Sequence, residues 1–231
     1  FDTILGGAGI ESYSLSRFDM RFDSFDPEHY RDYAKLNRYL ISALAVTYNV
    51  QNCYDSRNLF SQKQVSVAIK NKRFECENYD KAAESGGRDP AYARLELRSK
   101  CLTSNDIEKQ FHGWYIRLDK ALKNLDKVHQ RYNDELEKIY KEEKDAFPVK
   151  FRSLTDFLIQ YQNCIFCKAQ MIDLLSRFDE VKNPETRAKN HKKRYGIEYF
   201  SKMDVEYAVA EIKRAAEKFF KGTEMNLFEK S

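Results

Sequence analysis

Glycine and proline are both scarce, 8 and 4 of 231 residues, which excludes collagen-like repeats and Pro/Gly-rich low-complexity sequence. No apolar stretch approaches the ~20 residues that a membrane-spanning helix needs. A charged-then-apolar secretory signal is also lacking, and with Phe1 as the first residue an N-terminal piece is expected to be missing. The five cysteines, at 53, 76, 101, 164 and 167, are odd in number and scattered, unlike a secreted disulfide framework, so a reducing intracellular setting is expected. Cys164 and Cys167 have metal-ligand spacing but sit in an apolar helical pattern with no second pair. Two small buried hydrophobes, and no zinc, are expected there. Strong net charge is missing too: 40 basic residues against 36 acidic ones leave +4, too little to imply a nucleic-acid partner unless the bases cluster. They do cluster in RAKNHKKR, where Arg187, Lys189, Lys192, Lys193 and Arg194 occur without an acid. A solvated basic loop and a phosphate-contacting surface both fit that run.

An apolar content of 42% over this length is enough for a sizeable core in one or two domains. The pattern changes near residue 102. The expected fold is α+β over 1–102, an antiparallel sheet with one open charged face and helices packed on the other, followed by an all-helical subdomain over 103–231. In SRFDMRFDS, Phe18, Met20 and Phe22 alternate with Arg17, Asp19, Arg21 and Asp23, a period of two that marks a strand. A helix follows, with Asp26 as N-cap, Pro27 at its first position and Tyr30, Ala34, Leu40, Ala43 and Leu44 as its apolar stripe. Val65, Val67 and Ile69 alternate in the next strand. RFECENYDK places Phe74 and Cys76 on one face and Glu75, Glu77, Tyr79 and Lys81 on the other. AYARLELRSK repeats the design, with Ala93, Leu95 and Leu97 inward and Arg94, Glu96 and Arg98 outward; SGGRDP between them is a turn.

In the second half, Ile107, Phe111, Trp114, Leu118, Ala121, Leu125, Val128 and Tyr132 recur at spacings of four and three. They predict one helix running to Phe147–Pro148, packed within the domain or as the seam of a coiled-coil homodimer. Further helices are expected from about 153 to 181, ending at Asn183–Pro184, and from about 204 to 220, stopped by Gly222.

Parity gives the site hypothesis. If the charged strands are neighbours, Asp19, Asp23 and Glu96 gather on the side away from the helices. An all-oxygen carboxylate group of that kind suits Mg²⁺ or Mn²⁺. Tyr79 beside it has the chemistry of a nucleophile on phosphorus, Lys81 of a cation that eases its ionisation, and Arg94 and Arg98 of bidentate phosphate ligands. Against this, charged outer strand faces are ordinary, and Arg-x-Glu-x-Arg is also the sequence of a surface ion-pair ladder.

The order SRFD, helix, YDKAAE, ARLELRSK, over about residues 13 to 101, resembles the nicking domain of rolling-circle replication initiators. These comprise the nicking replication protein of filamentous phages, the plasmid trans-acting initiators and the related conjugative relaxases. The resemblance implies a metal-dependent, sequence-specific DNA endonuclease and strand transferase of the bacterial or phage-infected cytoplasm. In it Tyr79 becomes covalently linked to a 5′-phosphate and leaves a 3′-hydroxyl that primes synthesis. It implies Asp19 and Glu96 as ligands of Mg²⁺ or Mn²⁺, Asp23 as a weaker one, Lys81 at the scissile phosphate and an acid at Glu84. Its partners are single-stranded or hairpin origin DNA and a host helicase. Arg17, Arg94, Arg98, Lys192, Lys193 and Arg194 are the expected DNA contacts. The chain departs from the histidine-metal nickases, since His29, His112, His129 and His191 form no His-hydrophobe-His motif. A conjugative relaxase with the same chemistry, and a non-catalytic DNA-binding or assembly protein, are the alternatives.

Overall fold

The period-two stretches become four strands of one antiparallel sheet: β1 (Arg17–Ser24), β2 (Val67–Lys70), β3 (Phe74–Tyr79) and β4 (Ala93–Lys100), in the spatial order β1-β4-β3-β2. The computed structural model describes residues 17–25, 28, 30–48, 67–70, 72, 74–91, 93–100, 107–144 and 151–228. Asp26, Pro27, His29, Cys53, Val65, Cys101, Phe147 and Pro148 lie outside the described residues. The fold is α+β.

One face of the sheet is apolar. Val67, Ile69, Phe74, Cys76, Leu95 and Leu97 are buried on it, with Met20 and Phe22 packed against the same cluster. The helix α1 (Tyr30–Tyr48) covers this face with Tyr39, Leu40, Ala43 and Leu44. Between β3 and β4 the chain makes one helical turn, α2 (Lys81–Glu84), and reverses through Gly86 and Gly87, both at positive φ, which glycine adopts without a Cβ penalty.

The expected apolar seam is real, but it belongs to two helices. α3 (Ile107–Leu122) and α4 (Leu125–Lys144) are separated at Lys123–Asn124, where Asn124 turns its side-chain amide to Thr47 Oγ1 at 3.0 Å. Asparagine competes with helical backbone bonding in this way. Trp114, Leu118, Ala121, Leu125, Val128 and Tyr132 are nevertheless all buried, so the break leaves the seam in place.

The helix expected over 153–181 is also divided, into α5 (Leu154–Gln160), a 3₁₀ turn (Gln162–Cys164) and α6 (Lys168–Ser176). Ser153 caps the first, accepting from Asp156 N at 3.2 Å. Buried Gln170 satisfies the interruption: it accepts from Phe166 N at 2.7 Å and donates to Cys164 O at 2.9 Å. Backbone groups that leave a helix inside a core need such partners.

The basic segment is a helix and not a loop. α7 (Pro184–Tyr195) starts on Asn183, which accepts from Thr186 N at 3.0 Å, and ends at Gly196, φ 62°. α8 (Lys202–Phe228) opens with reciprocal Ser201–Asp204 caps and runs through Gly222 instead of stopping there. A lone helical glycine costs only about 1 kcal/mol.

Residues on both sides of 102 share one hydrophobic cluster. The Tyr39 ring stacks on Phe166 at 4.6 Å, and the Trp114 indole N–H donates to Ser99 Oγ at 3.0 Å. No described helix is long and apolar enough to cross a membrane. Leu97→Ala is expected to cost about 3 kcal/mol through its cavity, whereas Ile116→Ala on the exposed face of α3 should stay within about 0.5 kcal/mol. Urea unfolding of the two variants gives the comparison.

Candidate active site on the ionic face of the sheet

Register fixes which side chains share the other face. β1 pairs with β4 as Asp19↔Arg98, Arg21↔Glu96 and Asp23↔Arg94, three opposite-charge pairs in succession. β3 pairs with β4 as Glu75↔Arg98, Glu77↔Glu96 and Tyr79↔Arg94. The strands carrying Asp19, Asp23, Tyr79 and Glu96 are therefore adjacent, with β4 between β1 and β3. The Glu77↔Glu96 pair breaks the alternation, since like charges stand directly opposite.

Arg98 resolves that conflict. Its guanidinium lies 2.6 Å from Glu75, 2.8 Å from Glu77 and 3.7 Å from Asp19, and it hydrogen-bonds Glu96. Arg94 forks onto both oxygens of Asp23 at 2.6 and 2.7 Å and reaches Asp89 at 3.4 Å. The Tyr79 hydroxyl donates to Glu96 Oε1 at 2.7 Å, and Arg94 approaches the same carboxylate at 4.0 Å. Tyr79, Arg94 and Glu96 are buried, so the centre of this face is a packed ionic layer and not the open surface expected.

Burial shifts the charges in it. Burial, reinforced by Glu96, pushes the Tyr79 phenol up to about 12 against the opposing pull of Arg94. Burial also raises the Glu77 carboxyl above its ordinary value, outweighing Arg98. Although burial opposes it, the surrounding glutamates hold the Arg98 guanidinium above its ordinary range. The hydrogen bonds that Arg94 donates to Asp23 do the same for its guanidinium.

Lys81 differs from its expected position: β3 ends at Tyr79, and Lys81 opens α2. Its ammonium lies over the Tyr79 ring, 5.7 Å from the centroid, and pairs with exposed Glu84 at 2.6 Å. Arg17 is exposed and donates to both oxygens of Asp19 at 2.7 and 2.9 Å. Lys192, Lys193 and Arg194 stand on the solvent side of α7, well removed in sequence from the ionic face, with Lys192 3.5 Å from Glu198. Sequence reasoning passed over Glu75, Glu77, Arg21 and Asp89 as site members. The same alternation that marked Asp19 and Glu96 marks the first three, and Asp89 gave no signal.

The three expected metal ligands are of the right chemical type, since divalent magnesium and manganese take oxygen donors. Both oxygens of Asp19, Asp23 and Glu96, however, already accept from Arg17, Arg94, Arg98 or Tyr79. Among the described residues no group of three or more His, Cys, Asp or Glu side chains is arranged to hold a metal. This donor set, as arranged, does not fit a divalent cation. Arg98 stands where the carboxylates converge.

No protein-family model matches the chain, and no curated protein or solved structure matches it either.

Arg98→Gln is expected to lower stability by about 3 kcal/mol, because it leaves buried carboxylates uncompensated. Glutamates whose folded pKa is raised favour the fold below their unfolded value and lose that contribution as pH rises. The deficit of Arg98→Gln should therefore shrink as pH falls through the raised folded value towards about 4.3, which urea unfolding across pH will read. For Tyr79 the folded pKa lies above the ordinary value, so its contribution is complete below about pH 10 and disappears as pH rises through about 12. Burial also raises Tyr39, Tyr140, Tyr161 and Tyr199, so ultraviolet titration should show one late-ionising tyrosine fewer in Tyr79→Phe, and one that ionises earlier in Glu96→Gln.

Proposed function

We propose that the chain nicks and rejoins single-stranded or hairpin origin DNA through a covalent tyrosyl intermediate, initiating rolling-circle replication of a phage or plasmid. The observation that carries this reading is the 2.7 Å bond from the Tyr79 hydroxyl to Glu96 inside a layer of arginines. A phenol with a raised pKa is a poor nucleophile until a base takes its proton, and Glu96 is in place to take it.

In the proposed step the Tyr79 oxygen attacks a backbone phosphorus as its proton passes to Glu96. The bond from phosphorus to the 3′-oxygen breaks, and that oxygen leaves as a hydroxyl after protonation by the Glu96 carboxyl or water. The product is a 5′-phosphotyrosyl ester. Attack by a 3′-hydroxyl reverses it, with Glu96 as base and the Tyr79 phenol as leaving group, so the bond energy is kept for rejoining. Arg94, directly across the strand pair from Tyr79, stabilises negative charge as it builds on the phenol oxygen and phosphate. Lys81, paired with Glu84 above the tyrosine ring, supplies a further cation at the rim. The basic solvent face of α7, with Lys192, Lys193 and Arg194, adds sequence-independent backbone contacts.

A second reading, a non-catalytic DNA-binding protein, draws on the same structure: Arg94 and Arg98 are already paired, and the exposed bases lie on α7. Labelled oligonucleotides tiling the DNA that carries the coding sequence, incubated with Mn²⁺ or with chelator and run on a denaturing gel, separate the two. An adduct that is lost in Tyr79→Phe, and forms at least about 100-fold more slowly in Glu96→Gln, is the expected result. Salt-sensitive binding with no adduct on any strand supports the second reading. Replacing Lys192, Lys193 and Arg194 together by Gln should lower affinity for every sequence and reduce the slope of log K against log salt by about 2.

A further inference from the structure

Outside the ionic face, a second group of reactive side chains converges where α1, α4 and α6 meet. Cys167 is the N-cap of α6, with its sulfur accepting from Gln170 N at 3.4 Å. His129 Nε2 lies 3.5 Å from that sulfur and also hydrogen-bonds the Tyr39 hydroxyl. The same sulfur is 3.9 Å from His129 Nδ1, and the exposed Asp126 carboxylate is 3.9 Å from that nitrogen. A thiol at a helix N-terminus beside an imidazole is an arrangement that generates a nucleophilic sulfur.

The group is reachable. Cys167, His129 and Tyr39 line a cleft of about 480 Å³, and Cys167 is only half-buried. Three lysines, Lys123, Lys168 and Lys202, line the same cleft against one acid, Asp126, so an anionic molecule is favoured. Tyr199 supplies an aromatic wall, and its hydroxyl is buried without a partner among the described residues.

We propose that Cys167 is a nucleophilic thiol for exchange with small anionic disulfides, with His129 as its base. Burial raises the Cys167 thiol above its ordinary value, although the backbone N–H groups of Gln170 and Ala169 oppose this, so the resting sulfur keeps its proton. Burial lowers His129, which keeps the ring neutral and able to accept. In the step, the thiol proton moves to Nε2 and the sulfur attacks one sulfur of the disulfide. The disulfide bond breaks, the far half leaves as a thiolate, and a mixed disulfide remains on Cys167. The disulfide itself is the oxidant, and no other reactant is consumed. Tyr39 shares Nε2 with the sulfur and competes for it. Cys164 and Cys76 are fully buried, and burial drives both thiols up, which sets them apart as unreactive.

The test uses the full chain with Cys53→Ser and Cys101→Ser as background, dithiobis-nitrobenzoate as the anionic aromatic disulfide and dithiodipyridine as the neutral one. One rapid release of thiolate per chain is expected, with the label on Cys167 by peptide mass spectrometry. His129→Asn should slow it at least tenfold, Tyr39→Phe should leave it equal or faster, and Lys168→Gln should lower the anionic-to-neutral rate ratio. Circular dichroism before labelling identifies any variant that fails to fold. A rapid label on Cys164 or Cys76, or an unchanged rate in folded His129→Asn, overturns the proposal.

Discussion

A helix packed against neighbours on several sides must satisfy every polar group it carries inward, and α1 meets this constraint for the whole described structure. Asn37 donates to Asn78 Oδ1 at 3.0 Å, which fixes α1 to the C-terminal end of β3. Tyr39 meets His129, and Ser42 shares a 2.7 Å bond with Tyr132, both on α4. Thr47 takes the amide of Asn124 at the α3–α4 break. Buried Lys35 donates to Glu198 O at 2.5 Å, and burial brings its pKa down to about 8. Unsatisfied, each of these groups would cost about 1–3 kcal/mol, so together they select one placement of α1 among the many that apolar contacts alone allow.

That placement bears directly on the candidate site. Asn78 immediately precedes Tyr79, and its side chain is fully buried between β3 and α1. Successive strand residues point to opposite faces, so anchoring Asn78 on the helix side orients Tyr79 to the ionic side. A nucleophile held on a strand, with its base on the neighbouring strand, is positioned far better than one held on a loop. The apolar and ionic faces are thus mechanically one object: the first sets the register that the second needs.

Much of this was legible because strands write their geometry into sequence with a period of two. Asp19, Asp23, Tyr79, Glu96, Arg94 and Arg98 were assigned to one face by parity, and the register brings their strands together. What parity cannot encode is partner choice across strands, so the convergence of Glu75, Glu77 and Glu96 on Arg98 was hidden. The helical half was less legible for a related reason. Its breaks are made by long-range polar contacts, Asn124 with Thr47 and Gln170 with a locally interrupted backbone, and a helical apolar period runs across them undisturbed. α7 is different: Asn183, Pro184 and Gly196 are ordinary start and stop signals, outweighed in the reading by the density of positive charge.

The ionic layer also constrains how a phosphate can arrive. Arg94 holds the Asp23 carboxylate by two parallel N–H bonds, and a phosphate presents the same two-oxygen edge to a guanidinium. Asp23 lies on β1, an outer strand among those described, whereas Glu75, Glu77 and Glu96 lie on the two central ones. Exchange of Asp23 for a backbone phosphate therefore preserves the charge around Arg94 and the number of its bonds. The same exchange at Arg98 would leave several buried carboxylates without compensation. If the face receives DNA, Arg94 is the residue that can change partners and Arg98 the one that must not, and Tyr79 stands directly across the strand pair from the first.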